Sequence, residues 1–501
     1  MTSFLKTSSQ SRLILLALGL LLFFAGWTLF SARTEMVTYN SKYSIFFKNY
    51  QEKGVLAHYF FPAYNFSLTH PPSEPYVSKS PLVPLLMFGA ASVLGDRPFT
   101  YYGVILFFHL LFFSLLTFFA YRRWGTSAAA WVLLFSVLNR YSFQYGDQQT
   151  PELLGVIGSM SAVFLYFEWL KTPKRSLFIL SAAAYLVGFA ADYCAFFAGL
   201  AICIHWLFLG RKKVTESFRT ISVFPLITLL YAGLMLFLMA QARIPMNALL
   251  GRAVSRASLG LGGELPKAFL EYHFELFGPV MILSAVGFFV WLHRRNKTPY
   301  TVSDLSLLYC LLASGLLFIF AFGGAYINHR FFVMYLFPFF SIAAALGVHT
   351  LVRGLQKSRF RLFLIPGLLI IILGTTFYDN FRLPRLQHRL SLAPAPPLSK
   401  NEKVLQMARR IKSSLRPEDK LLVLTQEPSS LLKVTAFHAL RIPAADASKS
   451  SWEKAVGSRQ YSIVLATLPE AVSWLQKRHP EASVLAKDNE IALFRFKHDP
   501  E

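Results

Sequence analysis

The feature that most constrains this chain is a series of apolar runs of 14 to 22 residues, separated by short clusters of lysine and arginine. A run of about 17 to 25 apolar residues is long enough to cross the hydrocarbon core of a bilayer as a helix. Spans are read at 13–30, 100–120, 126–139, 151–170, 176–190, 193–210, 220–241, 277–292, 304–322, 331–352 and 362–377, eleven in all. Composition agrees, because 54% of residues are hydrophobic and only 15% charged, against roughly 45–50% and 25% in soluble proteins. The fold class read from this pattern is an α-helical polytopic membrane protein.

The formal charge of +24 raises nucleic acid as a partner, but that reading requires a basic, aromatic-lined face on a solvated domain. Here the cations sit between spans: Lys6 and Arg12, Arg122 and Arg123, Lys171–Arg175, Arg211–Arg219, Arg294–Lys297 and Arg353–Arg361. Every cluster falls on one side when the spans are threaded, which by the positive-inside rule makes the N-terminus cytoplasmic. The threading holds only if residues 80–95, punctuated by Pro81 and Pro84, form a re-entrant or interfacial helix that does not cross. It also requires the 176–210 region to split around "AADYC". Cys194, Cys203 and Cys310 give no disulfide framework and no metal-binding spacing.

Outside the membrane this topology leaves a large first loop, 31–99, and everything beyond 378. The domain reading is a membrane region 1–380, a proline-rich linker 381–400 around "LAPAPPLS", and a small α/β domain 401–501. In that domain "NEKVLQMARRIKSSL" has helical periodicity, while "KLLVLTQ", "YSIVLAT" and "EIALFRF" read as strands. No glycine-rich phosphate motif occurs in it.

Carboxylates are scarce and costly near a bilayer, so those at span ends on the outer side stand out: Glu35, Asp147, Glu152 and Asp192. Each also has an ordinary structural reading. Glu152 after Pro151 suits the first turn of a helix, Glu35 suits a solvated loop, and Asp192 suits a buried partner. Cations gather on the same face: Lys79, Arg97, Arg252, Arg256, His329 and Arg330. The positive-inside rule gives no reason for them there. They suit either lipid-headgroup anchoring or the grip of a phosphate, by the planar fork of arginine or the point charge of lysine.

These residues resemble, in order and side, the GT-C superfamily of membrane glycosyltransferases, in particular the branch with the bacterial aminoarabinose transferase and the protein mannosyltransferases. "TEMVTY" is similar to that family's acidic element after the first span, with Glu35 at its acid and Tyr39 at its aromatic position; Thr34 stands where a preceding acid is usual. "YVSKSPLVPLLMFGAASVLG" resembles the Tyr-x-x-Lys-Pro-Pro-Leu segment, with Lys79 at the lysine and Ser80 in place of the first proline. "INHRFFVMYLFPFF" resembles the late element that carries His329, Arg330 and Pro338.

The resemblance covers roughly residues 10–380 and implies a glycosyltransferase that moves a sugar from a polyprenyl-phosphate donor to a lipid, glycan or protein acceptor. Transfer would occur on the outer membrane face, inverting, with a carboxylate base. It assigns Glu35, Glu152 and Asp147 to catalysis, with the choice between the last two open by register. Lys79, Arg330, His329 and Arg97 go to the donor phosphate, and Tyr39, Asp192, Arg252 and Arg256 to substrate contacts. A divalent cation is a possible cofactor, with no metal ligands assigned and the acid pair incomplete at Thr34. Partners implied are the lipid-linked sugar, membrane lipids and the acceptor, not nucleic acid. The setting implied is a bacterial inner (plasma) membrane with the C-terminal domain outside, or an endoplasmic-reticulum membrane in a eukaryote. A lipid-linked glycan flippase or ligase, or a transporter, is the competing class. It would use the same phosphate grip without glycosyl transfer.

Overall fold

The structure is a computed structural model. It describes residues 9–31, parts of 43–62, 80–145, 152–208, 221–246, parts of 251–257, 264–294, 301–354 and scattered positions of 363–374. In the tail it describes 421–424, 444–445, 463–466, 469–488 and 491–496. Two compact units result: one gathers 1–33, 78–83 and 104–392, the other 34–77, 84–103 and 393–501. Each is described by itself.

The larger unit is a helical bundle. Its helices are α1 (Ser9–Ser31), α2 (Leu82–Leu94, shared with the second unit), α3 (Pro98–Val137, likewise shared), α4 (Arg140–Tyr145), α5 (Glu152–Lys171) and α6 (Arg175–Ala191). They continue as α7 (Phe196–Phe208), α8 (Val223–Gln241), α9 (Glu264–Phe277), α10 (Pro279–Arg294), α11 (Val302–Ala321), α12 (Gly323–Asn328) and α13 (Phe337–Gly354). Three-residue-per-turn helix leads into α7 at Tyr193–Ala195 and into α13 at Arg330–Leu336.

Among the described residues six helices are long and apolar enough to cross a membrane, or seven if the bent pair α9 and α10 counts as one; α2, α6 and the Tyr193–Phe208 segment are shorter apolar helices. Large apolar side chains remain exposed on outward faces, among them Leu22 at 70%, Leu229 at 69% and Phe289 at 71%. A soluble monomer rarely shows such continuous patches; a bilayer covers them.

One feature of the helices departs from the hydropathy reading, and two agree with it. The spans 100–120 and 126–139 are two helices within the stretch α3, meeting at a kink where Gly125 takes φ +82°, a conformation glycine reaches without a Cβ penalty. Residues 264–277, nearly all of which fall between the spans read at 220–241 and 277–292, are helical because Leu265, Ala268, Tyr272 and Leu276 recur at helical spacing and are buried. Their charged opposite face lowered the apparent hydropathy. The 176–210 region divides within "AADYC", as read from sequence, at Asp192, whose backbone is extended at φ −149° and ψ 127°. The last span read, 362–377, lies almost wholly outside the described residues, as does the helix read at 401–415.

Helices α5 and α6 form an antiparallel hairpin around Pro173. They approach so closely that a Cβ on Gly158 would fall 2.4 Å from the Cα of Gly188. Small residues at such crossings let backbones meet and gain dispersion contact. One turn away, a Cβ on Gly155 would stand 2.9 Å from the Cβ of Asp192. Gly155 therefore makes the space that Asp192 occupies.

In the second unit a five-stranded sheet has the order β2-β1-β3-β5-β4. Its strands are β1 (Leu421–Leu424), β2 (Ala444–Ala445), β3 (Ile463–Ala466), β4 (Ser483–Asp488) and β5 (Ile491–Arg495). The first three are mutually parallel, and β5 joins β3 and β4 in antiparallel pairing. Alternate residues Val464 and Ala466, Ala492 and Phe494 turn to one face and pack with Ala471, Val472 and Leu475 of α14 (Pro469–Arg478). The same unit contains a ring cluster from the first loop and the start of α3, in which Phe88 meets Phe47 and Tyr50, and Tyr101 stacks on Tyr43.

Candidate functional site

Acids and aromatics converge at the end of the bundle where α5 begins. Glu152 opens α5, is 2% exposed, and lies in the first turn, where the helix dipole favours a carboxylate. It is within electrostatic reach of Tyr141 and Tyr335. Asp192, also 2% exposed, accepts a short hydrogen bond from the Tyr335 hydroxyl and a longer one, 3.4 Å, from the Cys194 N–H. That second bond caps the tight turn into α7. The Tyr141 hydroxyl is buried with no partner among the described residues. A buried hydroxyl of that kind costs free energy until something meets it.

Alongside lies a charged cluster. The Glu275 carboxylate bridges two arginines: Arg140 Nη2 approaches one oxygen at 3.3 Å and Arg330 Nη1 the other at 2.8 Å. Glu271, one turn back on α9, is 3.8 Å from Arg330 Nη2. The Arg330 guanidinium also lies 5.1 Å over the ring of Tyr272, a favourable cation–π placement.

Local capping explains why the cluster assembles. Asn139 holds the start of α4, accepting from Ser142 N–H at 2.9 Å while its Nδ2 donates to the carbonyls of Phe135 and Ser136 at 2.8 Å each. Arg140 is thereby fixed. Tyr272 donates to the Ile327 carbonyl at 2.6 Å, tying α9 to α12 just ahead of Arg330.

A second ionic node sits at the other end of α5, roughly 24 Å away at 1.5 Å per residue. Arg123 Nε meets Asp304 at 2.5 Å, its Nη1 meets Glu168 at 3.1 Å, and its Nη2 donates to Ser303 at 2.9 Å. Asp304 also completes a capping box with Thr301. The Arg123 side chain is 5% exposed.

Of the residues singled out from sequence, Glu152, Asp192 and Arg330 belong to the first cluster region. His329 is exposed next to it, stacked on Phe331 with ring centroids 5.3 Å apart. Arg256 is half-buried. Arg97 belongs to the other unit, exposed beside the turn at Gly95. Glu35, Tyr39, Lys79, Asp147 and Arg252 lie outside the described residues. Ser80, at the position where the resembled segment has proline, is buried and hydrogen-bonded to Tyr231 of α8.

Sequence reasoning passed over Arg140, Glu271, Glu275, Tyr141 and Tyr335. The signal for the two glutamates was their i,i+4 spacing in "FLEYHFELF", which puts both on one helix face. Among the described residues no three His, Cys, Asp or Glu side chains converge as a metal site requires.

No family model matches the sequence, and no curated relative does. Solved structures do match. ArnT from Cupriavidus metallidurans in the apo state superposes with a TM-score of 0.65 at 14% identity, covering 97% of this chain and 98% of that one. The same protein bound to undecaprenyl phosphate gives 0.64 at 14% identity, over 95% and 98%. The archaeal oligosaccharyltransferase AglB from Archaeoglobus fulgidus, in complex with an inhibitory peptide and a dolichol-phosphate, gives 0.52 at 11% identity, over 90% and 69%. At these identities the likeness is one of fold, and it extends through nearly the whole of both ArnT chains. The chain shares the fold of these structures, that of an α-helical polytopic membrane protein.

Proposed function

We propose that this protein is a glycosyltransferase that uses a polyprenyl-phosphate sugar as donor. The observation that carries the reading is the near-complete match to ArnT, a structure of which holds undecaprenyl phosphate. Its support within this chain is the grouping of Glu152, Tyr141 and Arg330 around one end of the bundle.

In the proposed reaction a carboxylate takes the proton of an acceptor hydroxyl or amine at hydrogen-bonding distance. The freed lone pair forms the new bond to the anomeric carbon, inverting it. The carbon–oxygen bond to phosphate breaks, and the polyprenyl phosphate departs with the electron pair. Glu35 is proposed as the base, with Glu152 or Asp147 orienting the sugar or the acceptor. Lys79 and Arg330 stabilise the charge gathering on the leaving phosphate, with His329 and Arg97 as further donor contacts. Tyr39, Arg252 and Arg256 are proposed substrate contacts. Asp192 is proposed to fasten the site instead of contacting substrate, because its carboxylate is engaged by Tyr335 and by the Cys194 N–H. A divalent cation is proposed as optional. The setting proposed is a bacterial inner membrane with the N-terminus inside and the acceptor, a lipid, glycan or protein, outside.

The experiment is reconstitution in lipid with a polyprenyl-phosphate sugar and an envelope extract as acceptor source. The expected result is a covalently glycosylated product with stoichiometric polyprenyl phosphate, abolished in Glu35→Gln. Movement of the intact donor across the bilayer with no covalent product would favour the flippase or transporter class. Full activity in Glu35→Gln would remove the proposed base.

A further inference from the structure

Four charged side chains from three elements meet in the larger unit, and their formal charges cancel: Arg140 and Arg330 against Glu271 and Glu275. The two glutamates are not equivalent. Glu275 engages both arginines, at 3.3 and 2.8 Å, and is 22% exposed. Among the described residues Glu271 pairs only with Arg330, at 3.8 Å, outside hydrogen-bonding distance, and is 49% exposed. With Tyr272 beneath it and Glu275 at Nη1, the Arg330 guanidinium keeps its plane when Glu271 moves away. Its remaining N–H groups have no hydrogen-bond partner among the described residues.

Building on the donor reading above, we propose that Glu271 is a displaceable counter-ion for Arg330. It holds the anion position until a lipid phosphate arrives, then yields the Nη2 edge, while Glu275 stays in place as the positioning residue. The chemistry gives such an arrangement a use. A glycosyl phosphodiester carries one negative charge, whereas the polyprenyl monophosphate left after transfer carries about −1.5 to −2 at neutral pH. An unopposed arginine would therefore bind product more tightly than donor. A nearby carboxylate on the same helix face returns to compete with the product and speeds its release.

The test is a titration of the full chain in lipid nanodiscs with a polyprenyl monophosphate, and with the matching uncharged polyprenol. Wild type, Glu271→Gln and Glu271→Lys are compared at low and high salt. Because Glu271 is half-exposed, both variants should melt with wild type. The expected result is affinity for the monophosphate raised about two- to fivefold in Glu271→Gln and further in Glu271→Lys. The gain should shrink at high salt, and polyprenol binding should stay unchanged. Monophosphate affinity unchanged or lowered in both variants, or a parallel rise for polyprenol, overturns the counter-ion role while leaving the donor reading intact. A wild type that binds monophosphate no better than polyprenol removes the donor reading and this inference together.

Discussion

Arg123 and Arg330 each face two carboxylates at opposite ends of one helix bundle, yet their surroundings differ. Arg123 is 5% exposed and engages Asp304, Glu168 and Ser303 through three different nitrogens. Arg330 is 46% exposed, with one good contact to Glu275 and one loose one to Glu271. The first is a closed node whose partners have nowhere else to turn. The second leaves donor groups facing outward. Burial, not the count of ion pairs, separates a fastening from the proposed binding site, since removing one partner from a buried pair strands a charge while exposed pairs contribute little.

The comparison is broken most severely at the closed node. Arg123→Ala leaves Asp304 and Glu168 without their cation and should destabilise the bundle by about 3–5 kcal/mol, read as a large drop in melting temperature in detergent. Next comes the crossing that holds α5 against α6. Gly158→Leu drives a side chain into the Gly188 backbone and should cost about 3 kcal/mol, the upper range for overpacking; activity should fall with it because Glu152 and Asp192 ride on these helices. Tyr335→Phe removes the hydrogen bond to buried Asp192 and should cost about 1–3 kcal/mol, checked by the same melts. Arg330→Ala sharpens the contrast, since its stability change should stay within about 1 kcal/mol.

Much of the bundle was legible in the sequence because a bilayer leaves few alternatives: an apolar run of sufficient length must become a helix that satisfies its own backbone. The break at Asp192 was readable from the need to keep every basic cluster on one side. Glu264–Phe277 was hidden because its exposed glutamates diluted the hydropathy of a face that is buried. Arg123 was misjudged for a related reason. Counting lysine and arginine for orientation treats Arg122 and Arg123 alike, though only the latter closes an ionic node. In the candidate site, Glu152, Asp192 and Arg330 were visible as charges at span ends. Arg140, Glu275 and Tyr335 were not, since their roles come from partners 143, 135 or 55 positions away in the chain. Only three-dimensional contact reveals such pairs.

The most direct test of the distinction between fastening and binding is the affinity of Arg330→Ala for a polyprenyl monophosphate, measured in protein that melts with wild type. Loss of a charged hydrogen bond worth about 1.5–3 kcal/mol predicts affinity weakened roughly ten- to a hundredfold. Unchanged affinity in the folded variant would contradict the account.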